Sequence, residues 1–558
     1  MFTLLLLLLV PLSLAQANNL WQPGATIQDA ASIQVTQKGL DKMGTTLPLV
    51  FPSQIAVPDQ TSSGSCPPDV TNIWIGVSVN DVQVTPTNGQ LNLTLDLNVW
   101  INDATDPLHM SGCATSGCDL YVQPFPVTLT TSATAAVVYD SDLGHNVVQV
   151  DFGQPTFDEG LEEGAIQSVQ GSGFSFCSVS TIATILDASG FSLIDFVWQF
   201  AQPVLEAYVD YQVLPDLESQ LQDALSAAYF SDTLDFGGVA LQVEVQPQDV
   251  QITPDGIDVR AEGFTDADQG ACMVERDPGG SLRTDTPVPA IGDNPSSTEY
   301  AALVSDDIAN QGLYSIWRSG LFCFDLSDPG SVSIPFPVNT SLLGLIGGEG
   351  FTALFPDSAP LDVFTSPDSP PTVDYTTSHD LVAQAHDLGI DFYADLDGRK
   401  ARVLGVDLEA DIPVDLDFDG TTGKLGVNIG LSSDTVQVVP SMNEIVAGSD
   451  QTIEDNFGGI LDVVIEQFLG GQLQDLNFYV PSLSTDSGGH VGLSTLTASS
   501  AGGGDWLRAR AGIGLVAYDN SNAPSSCGSS GGCNSSGGTA PWFFLLPLLW
   551  LRRRERRG

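Results

Sequence analysis

Lysine and arginine are what this sequence has least of. Its 558 residues carry 17 of them against 69 Asp and Glu, a formal charge of −52. Five of the arginines crowd into the last seven residues, as Arg552, Arg553, Arg554, Arg556 and Arg557, so the rest sets 12 basic residues against 68 acidic ones. A surface so negative repels phosphate backbones and anionic headgroups at long range, which excludes nucleic-acid binding. Histidine is scarce too: His109, His145, His379, His386 and His490 are the five. His379-Asp380 and His386-Asp387 stand seven apart in a polar stretch, but a general base needs a nucleophile and an orienting group beside it. The body holds no Gly-x-Ser-x-Gly elbow, no His-Glu-x-x-His and no phosphate-cradling Gly-Lys-Ser/Thr. The five are read as solvent-exposed loop histidines in a protein that is not an enzyme.

Metal-ligand spacing is also missing, since no Cys-x-x-Cys pair occurs. Asp415-Leu-Asp417-Phe-Asp419-Gly420 has carboxylates where a calcium loop needs its first three, but Gly426 stands where the closing Glu belongs. Val414, Leu416 and Phe418 alternate with those aspartates, so the segment reads as a strand with its acids in water and a turn at Gly420. Asn102-Asp103 and Asp106 are a second acidic cluster, where weak calcium binding stays an open alternative and would relieve self-repulsion. No metal and no cofactor is expected. What remains is a hydrophobic content of 42%, enough to bury a sizeable core and too much for wholesale disorder.

Both ends of the chain read as addresses. Residues 1–17 run through leucines to Ala15-Gln16-Ala17, the pattern of a secretory signal, although no Lys or Arg precedes the apolar run. Residues 516–540 form a stalk of Ser, Gly and Asn holding Cys527 and Cys533, and 541–558 join an apolar run, Pro541 to Leu551, to the terminal arginines. Eleven helical residues reach about 16 Å, against a hydrocarbon core of about 30 Å, so the run is too short for a stable anchor. A flexible stalk, a short greasy segment and arginines held on the cytoplasmic side suit a signal read by a processing protease. The tail resembles the Cys- and Gly-containing C-terminal sorting tails of myxobacteria and the Gly-Gly tails of other Gram-negative bacteria. That resemblance implies cleavage near Cys527 or Cys533 and display at, or release from, the cell surface or outer membrane. Six cysteines remain, Cys66, Cys113, Cys118, Cys177, Cys272 and Cys323, an even number that suggests three disulfides among 15 pairings. Cys113 and Cys118 flank four residues and suit a loop staple.

Between the ends, strand grammar alternates with long helical stretches. Leu91, Leu93, Leu95, Leu97, Val99 and Ile101 keep period two, as do Val239, Leu241, Val243 and Val245. Val82 to Gly89 and Val250 to Gly256 are similar turns, with Pro and Gly where strands reverse. Phe191 to Val213 is nearly continuously apolar, interrupted by Pro203. Pro215 then opens a helix whose stripe is Leu217, Leu221, Leu225 and Ala228, with Asp216, Glu218, Gln220 and Asp223 opposite. Ser305 to Arg318 predicts a short helix with Ile308, Leu313, Ile316 and Trp317 inward and Gly320 as terminator. Ile453, Phe457, Ile460, Leu461, Val464 and Phe468 make the stripe of a late helix ended by Gly470-Gly471. The expected parts are an N-terminal extension 18–69, a first domain 70–276, a Pro/Gly/Asp linker 277–298 and a second domain 299–515.

This order of parts resembles the tubular lipid-binding superfamily, in particular the bactericidal/permeability-increasing protein group. The segments that carry the likeness are Ser192 to Gly263, Tyr300 to Leu326 and Asp455 to Leu493, and it covers roughly residues 70 to 515. The resemblance implies an α+β fold of two pseudo-symmetric barrels of highly twisted antiparallel sheet, each wrapped around a long amphipathic helix and joined at a central sheet. It also implies an apolar slot between helix and sheet in each half, taking lipid acyl chains. The candidates are Phe196, Phe200, Leu217, Leu221 and Leu225 in the first half, and Phe457, Leu461, Val464 and Phe468 in the second. Each methylene removed from water contributes about 0.8 kcal/mol. Capture of lipopolysaccharide phosphates at a cationic tip does not carry over to so acidic a chain. The competing expectation is a structural or adhesive surface protein whose barrels are solid.

Overall fold

The computed structural model describes residues 20–44, 54–57, 59, 69–112, 115–169, 178–188, 192–226, 228–236, 239–327, 337–355, 358–376, 378–446, 448–468, 476–480, 483–484 and 490–519. The leader, the tail with Cys527 and Cys533, and Cys66, Cys113 and Cys177 lie outside these residues.

The principal elements in chain order are β1 (Ile27–Thr36), α1 (Gln37–Gly44), β2 (Ile73–Thr87), β3 (Gln90–Ile101), β4 (Thr115–Asp140), β5 (His145–Phe152), α2 (Leu193–Tyr208), α3 (Leu214–Ser226), β6 (Phe230–Phe236), β7 (Val239–Thr253), β8 (Gly256–Asp266), β9 (Tyr300–Ser305), α4 (Asp306–Arg318), β10 (Leu361–Pro367), β11 (Leu381–Leu396), β12 (Arg399–Asp419), β13 (Lys424–Ile429), β14 (Val436–Met442), α5 (Asp450–Phe468), β15 (His490–Ala501) and β16 (Trp506–Val516). The fold is mostly antiparallel β with some helices. A first sheet is built on β2-β3-β4 with β5 also on β4, and a third on β10-β11-β12-β13 with β14 also on β12. Between them an eight-stranded sheet runs β6-β7-β8-β1-β9-β16-β15 and then Leu483–Ser484, so chain from both halves meets in it.

Periodicity explains the strands. In β3 Leu91 to Ile101 are buried at every second position, while the polar residues between them stay partly exposed. Long strands make the sheets curl. The 26-residue β4 bonds β3 and β5 along different stretches, and the 21-residue β12 is shared among β11, β13 and β14. Register shifts at Val79/Asp81, Val99/Ile101, Pro247/Asp249 and Ala385/Leu388 add local twist. Both predicted turns are hairpins: Asn88-Gly89 joins β2 to β3, with Gly89 at φ +83°, and Pro254-Asp255 joins β7 to β8. The two tips touch, through the Gly89 amide to the Ile252 carbonyl at 2.9 Å.

Two segments that composition left outside the domains turn out to be central. The N-terminal extension supplies β1, bonded to β8 on one side and β9 on the other, in the middle of the central sheet. The linker lies on that sheet: Gln34 Nε2 donates to the Pro289 carbonyl (2.7 Å), Arg508 Nη1 to the Asp293 carbonyl (3.1 Å), and Ser281–Leu282 pairs with Leu20–Trp21. Its Pro, Gly and Asp content is therefore that of a fixed strap.

The helices differ from expectation in three ways. Pro203 sits inside α2, and Pro215 does not open a new helix. A π-helical turn, Val209–Val213, carries α2 into α3, so helical backbone runs from 193 to 226. The wider turn precedes Pro215, which has no N–H for an ordinary helical bond. In α4, capped by Ser305 Oγ accepting from the Ile308 amide, Leu313 and Ile316 are only half-buried, while Asp306, Asp307, Asn310, Gln311 and Ser315 are buried. The helix is clamped on several sides: Gln311 bonds the Thr265 amide and the Ala25 carbonyl, Asn310 the Val373 amide, and Trp317 the Pro367 carbonyl. Cys272 and Cys323 are disulfide-bonded across 51 residues that enclose the strap and α4. Cys118 is also disulfide-bonded, its partner falling outside the described residues.

Candidate functional site

An apolar seam accompanies each long helix. Along α2 the residues at i, i+4, i+8 and i+12, namely Val197, Ala201, Leu205 and Val209, are buried with Leu214 against the inner positions of β3 and β4: Leu93, Leu95, Leu97, Val99, Phe125, Val127 and Leu129. Trp198 meets Phe125 edge to face, ring centroids 6.3 Å apart. The seam continues along α3, where Leu225 and Ala228, with half-buried Leu221, pack on Val148 and Val150 of β5 and on Val35, Ile257, Val259 and Tyr300 of the central sheet. One greasy track thus passes from the first sheet to the centre.

In the second half Ile453, Phe457 and Leu461 of α5 are buried against Phe392, Val403, Leu404, Val406, Leu408 and Val438. Phe392 and Phe457 meet edge to face at 6.5 Å. A smaller cluster, Leu425, Val480 and Leu493 with Leu416, Phe418 and Ile513, links the third sheet to the central one. Among the sequence candidates, then, Leu221, Leu225, Phe457 and Leu461 lie on the seams. Phe196, Phe200, Leu217, Val464 and Phe468 lie on the same helices, with side chains outside the description.

Glu218 corrects the expected polar face of α3. It is half-buried, and burial first, then the Asp151 charge, holds its carboxyl above the usual range. A carboxyl of this kind on an apolar track can hydrogen-bond a ligand's polar end, and a helical wheel alone does not reveal it. The π-helical turn beside it leaves Tyr211 exposed.

Charge at the seams is one-sided. No Lys or Arg occurs between Lys42 and Arg260, which spans the whole first sheet and both its helices. The five histidines pair separately with different residues. His109, His145, His386 and His490 lie on strands rather than loops, and four of the five face an aspartate: His109–Asp119 (2.8 Å), His379–Asp415 (2.9 Å), His386–Asp411 (3.5 Å) and His490–Asp519 (3.9 Å). His145 stacks on Tyr229. Asp415, Asp417 and Asp419 end β12, and Asp419 accepts from the Thr421 and Thr422 hydroxyls, which lowers its pKa to about 2. Asp103 likewise caps its own turn through Thr105. Among the described residues no cluster of three or more His, Cys, Asp or Glu is placed to hold a metal ion. None of the described helices is long and apolar enough to cross a membrane.

No family model matches the sequence, and no curated protein matches it. Among solved structures, the crystal structure of lipopolysaccharide binding protein is similar over 88% of this chain and 99% of its own, at 14% identity and a TM-score of 0.50. P47 of Clostridium botulinum E1 (7% identity, 89% and 100% covered, TM-score 0.29) and P47 of Clostridium botulinum A2 (6%, 89% and 99%, 0.24) match too distantly to carry an argument. At 14% identity the first likeness is one of fold.

Proposed function

We propose that this chain, which shares the fold of a lipopolysaccharide binding protein, is an exported, non-catalytic lipid-binding protein that takes acyl chains beside its two long helices. The observation that carries the reading is the pair of apolar seams, one along 193–226 and one along α5, each set against a sheet of long antiparallel strands. Each half forms one unit of a two-barrel molecule, with 70–276 and 299–515 as the two domains and the central sheet as their junction. An acyl chain of twelve methylenes withdrawn from water would gain about 10 kcal/mol before the costs of association. With no Lys or Arg between Lys42 and Arg260, the headgroup in the first half is held by neutral polar contacts and by the half-buried Glu218. Removal of residues 1–17 and processing of the tail near Cys527 or Cys533 place the body at the cell surface.

A solid, structural molecule is the second reading. The close burial of Ile453, Phe457 and Leu461 against the third sheet favours it. Uptake of a fluorescent fatty acid separates the two. Leu461→Trp fills the space beside α5, so uptake in the second half should fall with the fold retained. Unchanged uptake would show that α5 lines no slot.

A further inference from the structure

The face of the central sheet opposite the seam sets an apolar patch, Val288, Ala301, Leu303 and Trp506, beside buried polar residues, and its arginines are unevenly provided for. Five of the arginines in the described body have carboxylate partners: Arg260 with Asp258, Arg276 with Asp368, Arg283 with Asp285, Arg318 with Asp266 and Asp277, and Arg402 with Asp391. Among the described residues Arg508 and Arg510, two apart on β16 and therefore on one face, have none within 4 Å; Arg399, the other arginine without one, is exposed at a hairpin. Arg508 is 4% exposed beneath the strap. Its Nη1 reaches the Asp293 carbonyl, and Arg510 Nη2 the Ser499 hydroxyl at 2.9 Å, but neither Nε has an acceptor among the described residues.

No carboxylate among the described residues pairs directly with either arginine. Register places Asp258 in one row with Gln34, Ala301 and Arg510, three strands or about 14 Å from Arg510, and Asp258 is held by Arg260 and Ser32. Glu299 is taken by Lys38 Nζ (3.6 Å) and the Ile513 amide (3.0 Å). Asp293 turns its carboxylate to the Ala290 amide at 3.1 Å. Burial, and then the neighbouring Arg510 charge, disfavours the protonated form of Arg508, and the Asp293 charge offsets this only in part. Buried charges without counter-charge cost several kcal/mol, and a guanidinium fork is shaped for two oxygens of one oxyanion.

We propose that Arg508 and Arg510, beneath the strap, form a binding site for a small oxyanion of the phosphate or carboxylate class. The site lies across the sheet from Val35, Val259 and Tyr300, so its ligand is a free anion and not the headgroup of a lipid on the apolar track. Bound there, the anion would tie the strap to both halves.

The test uses the full purified chain and inorganic phosphate at low millimolar concentration, with chloride at equal ionic strength as reference. A saturable rise in Tm specific to phosphate, mirrored by calorimetric binding that weakens at least tenfold in Arg510→Gln, supports the site. Arg510→Lys, which keeps the charge and loses the fork, should retain part of the binding and guards against a folding defect. Equal Tm in phosphate and chloride, or an undiminished phosphate response in Arg510→Gln, would overturn the proposal and leave only internal water beside the arginines. Vesicles of phosphatidylglycerol form the second arm, and binding of these in preference to free phosphate would likewise contradict it.

Discussion

Asp306 offers a sharp electrostatic test of how the two halves are joined. It stands at the first position of α4, 7% exposed, with Thr284 Oγ1 of the strap donating to it at 2.8 Å. Asp307 accepts from the Thr284 amide at 2.8 Å, Asp505 takes the Thr286 hydroxyl, and the buried Tyr375 lies close by. Burial, opposed by the Thr284 hydroxyl and reinforced by the Asp307 and Asp505 charges, raises the Asp306 carboxyl to about 6. The folded state therefore binds this proton more tightly than the unfolded chain, whose carboxyl titrates near 4. The stability that protonation provides is complete below pH 4 and lost as pH rises through 6. Two units correspond to roughly 3 kcal/mol, and partial solvation of the cluster brings this to about 2 kcal/mol. Asp306→Asn keeps an acceptor for Thr284 and removes the charge, so it should be the more stable form at pH 7.5, by about 2 kcal/mol and a few degrees in Tm. The gap should shrink by pH 5 and vanish near pH 3.5. Thermal unfolding of both proteins across that range measures it; comparing them cancels the general repulsion of so acidic a chain. A variant less stable than its parent at pH 7.5, or a difference independent of pH, would refute the reasoning.

Other consequences can be measured directly. Replacing Cys272 and Cys323 by Ser opens a 51-residue loop and should cost up to about 4 kcal/mol, read as a lower denaturant midpoint that reductant reproduces in the parent. Gly76→Ala would set a methyl 2.0 Å from Trp100 Cε2; the ring must move, and a loss of about 1–3 kcal/mol is expected in the same assay. Deleting residues 541–558 should release the protein from cells that otherwise retain it, and unchanged retention on fractionation would show that the tail is not a sorting signal.

The strands and long helices were legible because one face of each meets core and the other meets water. Leu91 to Ile101 announces itself by period two, and Ile453, Phe457 and Leu461 by helical spacing. The centre was not legible, for a physical reason. Ser32, Gln34 and Asp258 are polar yet buried, because Ser32 and Asp258 satisfy each other across strands and the strap's Pro289 takes Gln34, partners more than 200 residues apart. Nothing local marks such a face, and the strap's Pro, Gly and Asp content is equally that of a loose linker. Glu218 escaped for a related reason, since a wheel shows which residues share a helix face but not what the opposite face meets. Continuity through Pro215 depended on a π-helical turn, which apolar periodicity does not encode.

The central claim is that lipid occupies the space beside the helices. Native mass spectrometry of the gently purified protein, with solvent extraction of the same sample, tests it most directly. The account predicts co-purifying amphiphile at near-stoichiometric amount, removed by extraction and restored by added fatty acid. A bare mass, with no extractable lipid and no uptake on addition, would contradict it.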